Sequence, residues 1–214
     1  WQWQRLGVLD RALRLTARGE IVAAFAGPEG LAVAAALEDR RYPLADIIFD
    51  LANLFATDRF SGTNPRWLGR LAAVCERTYR RSEAEGFLVR GIPPNYGCGA
   101  AEIVRGLVAE GGRVRELMVD AEQAGRGDLD RLLIEWRSLL KQLVAAEPLG
   151  IADFGMRNAD LAAGGTVAAG EKVEPESLAG AALARPDDQA AKEDPRLKML
   201  SVRWDELRVR AREL

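Results

Sequence analysis

The chain has 214 residues, enough for one or two domains with a sizeable core, and its hydrophobic fraction of 48% suits a globular protein. A formal net charge of −2 excludes a protein that coats duplexes through overall basicity, so any nucleic-acid contact has to be local. Histidine is absent, which excludes Ser-His-Asp and Cys-His nucleophilic sites, zinc–histidine sites and the commonest general base.

Other exclusions follow from motifs. No run of about 18 uncharged apolar residues occurs, so no transmembrane helix is expected. No signal peptide is visible, and the chain begins at Trp1 rather than Met, as a processed chain or a piece of a longer one would. No Walker A motif is present, so a P-loop for ATP is not expected here. Carboxylate-only chemistry or a lysine base is left open, yet no paired-acid motif supplies it. Cys75 and Cys98 match no metal spacing. Two reduced thiols in a cytoplasmic protein are expected, with one disulfide as the alternative.

In chain order, residues 1–25 carry Trp1, Trp3, Leu6, Val8, Leu9, Leu13 and Leu15 in a pattern that fits a short helix or a strand–turn pair. Thr16 to Gly19 then reads as a turn into a second element. Gly27-Pro28-Glu29-Gly30 is a break, with Pro28 suited to the first turn of a helix. The alanine-rich stretch 28–41 predicts a helix that permits close helix–helix approach. After Pro43, the residues Leu44, Ile47, Ile48, Leu51, Leu54 and Phe55 predict an amphipathic helix to about Ala56.

Thr57–Asn64 reads as a polar loop. A long helix is expected from Pro65, with Trp67, Leu68, Leu71, Val74, Cys75 and Tyr79 inward. Its other side carries Arg66, Arg70, Arg77, Arg80 and Arg81, either a solvated face or a phosphate-facing patch. Residues 86–90 suggest a short extended segment. Gly97 and Gly99 then permit a tight path into a helix over 100–110, either as a structural turn or as an anion site on free N–H groups. A further short helix is predicted over 113–123.

The best-marked element is 127–147. Gly127 and Asp128 stand where a cap or first-turn acid belongs, and Pro148 stops the helix. Leu129, Leu132, Leu133, Trp136, Leu139, Leu140 and Leu143 recur at the spacing of one helical face. Trp136 lies on that stripe and is expected in the core. Beyond Pro148, residues 155–194 read as a loosely structured connector rich in Ala, Gly, Asp and Glu. Residues 195–214 regain apolar spacing and predict a terminal helix.

The residues Tyr96-Gly97-x-Gly99, the Ala-Ala-Glu-Ile-Val helix after them, and Gly127-Asp128-Leu129-Asp130-Arg131-Leu132-Leu133 with Leu139-Leu140-Lys141-Gln142-Leu143 resemble the C-terminal helical domain of superkiller-type DExH-box RNA helicases. The resemblance covers roughly residues 28–147. It implies an all-helical bundle packed on a helicase core, and a long helix that touches single-stranded RNA as ATP-driven strokes move it. Arg131 matches the arginine that follows Gly-x-Leu-x in the family. Positions 134 and 135, often basic there, are Ile134 and Glu135 here.

The sequence therefore leads to four expectations. The fold is all-α, a helical bundle of five to seven helices with a connector and a terminal helix. Residues 1–27 form a lead-in segment from a preceding domain, 28–148 the bundle, and 149–214 the connector and terminal helix. The chain is a non-catalytic accessory domain that guides single-stranded RNA, or DNA as the second choice, past motor domains of the same polypeptide. ATP and Mg belong to that parent protein, and this chain binds no cofactor and no metal of its own. Arg131, Arg137 and Lys141 are the candidate nucleic-acid contacts. Arg131 has a plain alternative as an exposed arginine pairing with Asp128 or Glu135. The alternative function is a helical protein-interaction (adaptor) module without nucleic-acid contact.

Overall fold

A computed structural model describes residues 1–60, 68–109, 126–149 and 194–214. These residues form an all-α bundle of eight α-helices. They are α1 (Gln2–Arg5), α2 (Ala17–Ala23), α3 (Glu29–Glu38), α4 (Leu44–Asp50), α5 (Gly69–Thr78), α6 (Ala100–Ala109), α7 (Arg126–Ala145) and α8 (Pro195–Arg212). Five of them fall within 28–148, the span expected for the bundle. The predicted helix over 113–123 and the connector up to residue 193 lie outside the described residues.

The centre is α3. Every residue from Leu31 to Leu37 is fully buried, so this helix has no solvent face. Alanine makes that possible because small side chains let neighbouring helices approach on all sides. At Gly30 a Cβ would stand 2.8 Å from the backbone of Val22, so α2 and α3 meet in close contact. That contact joins the segment before residue 28 to the one after it. Leu6, Val8, Ile21 and Phe25 are buried in the same core as α3 and α7.

Local chemistry sets the boundaries. Thr16 caps α2, its hydroxyl oxygen accepting from Gly19 N at 3.0 Å and donating to Gly7 O at 2.6 Å. The expected turn at Thr16–Gly19 is therefore the first turn of a helix. The amphipathic stretch after Pro43 is α-helical only to Asp50 and tightens to a 3-10 helix over Leu51–Phe55. A second 3-10 turn, Thr57–Phe60, replaces the first half of the expected polar loop. Helix α5 begins at Gly69, and Leu68, expected inward, is 40% exposed. Leu71, Val74, Cys75 and Tyr79 are buried as their spacing predicts, while Pro65, Arg66 and Trp67 lie outside the described residues. The expected extended segment near 86–90 is reduced to the isolated bridges Ala84–Leu88 and Val89–Ile92.

Helix α7 buries Leu129, Leu132, Trp136, Leu139, Leu140 and Leu143, with Leu133 half-buried. The helix begins at Arg126, so Gly127 is a helical residue with open space beside it, and Asp128 is the first-turn acid. Trp136 is a core residue: its indole Nε1 donates to Ile48 O at 2.9 Å, and its ring stacks on Phe49 with centroids 6.4 Å apart.

Helix α8 is capped by Asp194, whose carboxylate accepts from Arg196 N at 2.8 Å, with Pro195 in the first turn. Leu200, Trp204, Leu207 and Ala211 are its buried stripe. The Trp204 indole donates to Glu147 O at 2.9 Å, just past the end of α7, and Ala211 shares a cleft with Leu140 and Val144. Helices α7 and α8 therefore run antiparallel.

One side chain of α8 finishes α3. Half-buried Arg203 donates from Nε to Leu37 O at 2.9 Å, and from Nη2 to Tyr42 O at 2.7 Å and Asp39 O at 3.3 Å. A cation at the carbonyl end of a helix satisfies acceptors that have no intrahelical donor and opposes the negative end of the dipole. Replacing Arg203 with Met keeps the stem and removes the donors. The expected cost is roughly 2–3 kcal/mol. Denaturant unfolding checks it, with a lower midpoint at unchanged slope.

Candidate nucleic-acid interface

The buried stripe of α7 fixes what its other side presents. Arg131, Arg137 and Lys141 are all exposed. At 1.5 Å rise per residue, Arg131 and Lys141 stand about 15 Å apart along the axis, and at 100° per residue they point to different edges of the exposed face. Arg137 and Lys141 are one turn apart on the same edge. Between the two edges lies Ile134, 68% exposed.

Arg131 is not free. Its Nε donates to Glu135 Oε1 at 2.9 Å, in an i,i+4 pair with Arg131 70% exposed. The hydrogen bond to Glu135, with the charges of Glu135 and Asp128, raises its pKa. On the same side of α7 a recess of about 280 Å³ is lined by Glu29, Phe55, Glu135, Ser138 and Gln142. Its two ionisable groups are both carboxylates, the wrong sign for phosphate.

Arg137 and Lys141 stand in a different setting. They border a cleft of about 360 Å³ between α7 and α8, whose lining includes Leu140, Val144, Ala145, Ala211, Arg212 and Leu214. Among the described residues, the three charged side chains in the lining are all cations. None of the three makes an ion pair among the described residues. The three residues expected to act together therefore divide. Arg137 and Lys141 join with Arg212, while Arg131 is held by Glu135 on the far edge. Sequence reasoning missed Arg212 because the cleft exists only once α8 packs on α7. Its one signal was a terminal helix dense in arginine.

The other sequence candidates resolve differently. The arginine face of α5 is largely engaged. Arg70 stacks on the Tyr42 ring at 4.6 Å and donates to Arg41 O, Arg77 pairs with Asp39 at 2.8 Å, and Arg81 lies 3.8 Å from Glu76. The stretch 97–101 is a packed turn. Gly97 N donates to Asn53 O at 2.9 Å, and Ala101 N, at the start of α6, donates to Asn53 Oδ1 at 3.0 Å. A Cβ at Gly97 would lie 1.8 Å from Thr57 O. Asn53, 5% exposed, thus caps α6 from another element and takes a donor that an anion would need.

Other groups with chemistry lie away from α7, and there the cations are matched by carboxylates. Arg18 donates to Glu38 at 2.7 and 2.5 Å beside a cleft of about 630 Å³, where Arg40 and Arg196 face Glu38 and Asp194. Tyr42 donates to Asp50 at 2.5 Å. Burial raises the pKa of Asp50, with Tyr42 and Arg105 opposing it and Asp46 and Glu102 adding to it. Cys75, buried, and Cys98 are separate thiols, and burial pushes Cys75 up to about 12. Among the described residues no cluster could hold a metal ion, and no helix is long and apolar enough to cross a membrane.

No family model, curated protein or solved structure matches the chain.

The Asp50 environment gives a signed prediction. Because its folded pKa is raised, its stabilising contribution is complete below the ordinary carboxylate pKa and is lost as pH rises through the folded value. Asp50→Asn keeps an acceptor for Tyr42 and removes that loss. Thermal melts at pH values from about 4 to 7 should show the variant gaining on the parent as pH rises. A constant difference would contradict the raised pKa.

Proposed function

We propose that the chain is an accessory helical domain of a superkiller-like, ATP-dependent RNA helicase, guiding a single strand past a motor outside these residues. The observation that carries this reading is the exposed face of α7. A helix held rigidly by six buried side chains turns Arg131, Arg137 and Lys141 to solvent, and two of those three have no competing carboxylate among the described residues. Cations on a fixed helix are what positioning of a phosphate backbone requires. The all-α bundle agrees with the architecture that the resemblance implies. In this reading ATP and Mg belong to the motor, the motor domains of the same polypeptide are the protein partner, and the setting is cytoplasmic. RNA is the first choice of strand and DNA the second.

An adaptor function is the second reading. The Arg131–Glu135 pair and the apolar floor of the α7–α8 cleft favour it, since both suit a protein partner.

The test is ATP-driven strand separation by the parent protein carrying Arg137→Ala and Lys141→Ala together. Unwinding and single-strand affinity should both fall, and Arg131→Ala alone should have the smaller effect because Glu135 already holds that side chain. Unchanged unwinding and affinity in the double variant would sink the helicase reading and leave the adaptor.

A further inference from the structure

We infer that the α7–α8 cleft is a seat for a short stretch of single-stranded RNA, with Arg212 of the terminal helix as a third phosphate contact beside Arg137 and Lys141. This inference rests on the nucleic-acid reading of α7 and goes beyond it by naming the seat and a residue outside the resemblance.

Three observations point there. First, charge: Arg137, Lys141 and Arg212 surround one cleft, and among the described residues no acidic side chain lines it and none of the three is ion-paired. Neighbouring Arg210, by contrast, is spent on Glu206 at 3.0 Å, and Arg208 on Asp205 at 3.2 Å. Second, the floor: Leu140, Val144 and Ala211 offer an apolar surface on which a base face can lie while its phosphates stay at the rim. Guanidinium groups can bind phosphate through two parallel hydrogen bonds or stack on a base. Third, size: about 360 Å³ gives room for flat rings.

The site also suits its place in the fold. Arg137 and Lys141 come from the helix fixed by the core, and Arg212 from the last turn of α8, which the buried Ala211 holds against α7. The two helix backbones that carry the three cations are thus fixed before a strand arrives, and only the side chains are left to order on binding.

The experiment uses the 214-residue chain and a fluorescent oligouridylate carrying 4-thiouridine, with binding followed at several salt concentrations. Each phosphate neutralised on a single strand adds about 0.7 to the salt slope, so three contacts give a slope near −2 and roughly a 20-fold loss of affinity between 50 and 200 mM salt. Arg212→Gln should lower the slope by about 0.7 without moving the thermal melt, because the side chain is exposed. Photo-crosslinks should fall on peptides containing residues 137–145 and 211–214. Crosslinks confined to the Arg131 edge, with Arg212→Gln unchanged, would overturn the cleft while leaving strand binding by α7 intact. No salt-dependent binding and no crosslink would overturn both. A synthetic acidic amphipathic peptide that binds and is lost in Arg212→Gln, while the oligouridylate does not bind, would assign the cleft to a protein partner instead.

Discussion

A helix with no exposed side must have its polar ends satisfied by other parts of the chain, and α3 is such a helix. From Leu31 to Leu37 nothing reaches solvent, so its last carbonyls cannot rely on water. Arg203 supplies the donors from 166 residues away in sequence, counted to Leu37. Near the other end of α3, the Tyr79 hydroxyl donates to Leu31 O at 2.6 Å. Arg18 braces the outside of the helix through Glu38 and lies 5.5 Å from the Tyr79 ring centroid. Each of these polar side chains comes from a different element. The alanine-rich helix is therefore where the first, middle and last parts of the described chain are tied together.

The same economy explains the surface charge. Thirty lysines and arginines against thirty-two acids suggest many free cations, but the bundle uses a good share of them internally. Arg70, Arg77 and Arg203 all act on the Asp39–Tyr42 corner through Arg41 O, the Asp39 carboxylate, the Asp39 and Tyr42 carbonyls and the Tyr42 ring. An arginine row along one helix is thus a poor guide to a phosphate-binding face. What distinguishes Arg137, Lys141 and Arg212 is that the neighbouring side chains are aliphatic.

The parts of the fold that were legible in sequence are those decided by periodicity. The stripe Leu129, Leu132, Trp136, Leu139, Leu140, Leu143 names its own buried face, and Pro148 marks where the helix must have ended. Alanine density pointed to close packing around 31–37. The parts that were not legible depend on partners distant in the chain. Asn53 looks like an ordinary polar residue in an apolar run, yet it is buried because it caps α6 and holds Gly97. Leu68 has core-like spacing, but the helix starts one residue later and leaves it outside. At the candidate site, Arg137 and Lys141 were readable as a pair one turn apart. That Arg131 would be neutralised was readable only as one of two options, and Arg212 was not readable at all, because no local pattern says which face of α7 a terminal helix will cover.

Helix α8 does two jobs at separate points along one rigid rod. Near its middle Arg203 closes the carbonyl end of α3, and at its last turn Arg212 borders the cleft with α7. About nine residues of helix separate the two, so roughly 13 Å of stiff backbone connects them. Displacing the last turn of α8 therefore acts as a lever on the Arg203 clamp. Any molecule that gripped both walls of the cleft would also hold that clamp shut. By thermodynamic linkage, its binding energy would appear as added stability at the buried centre of the bundle.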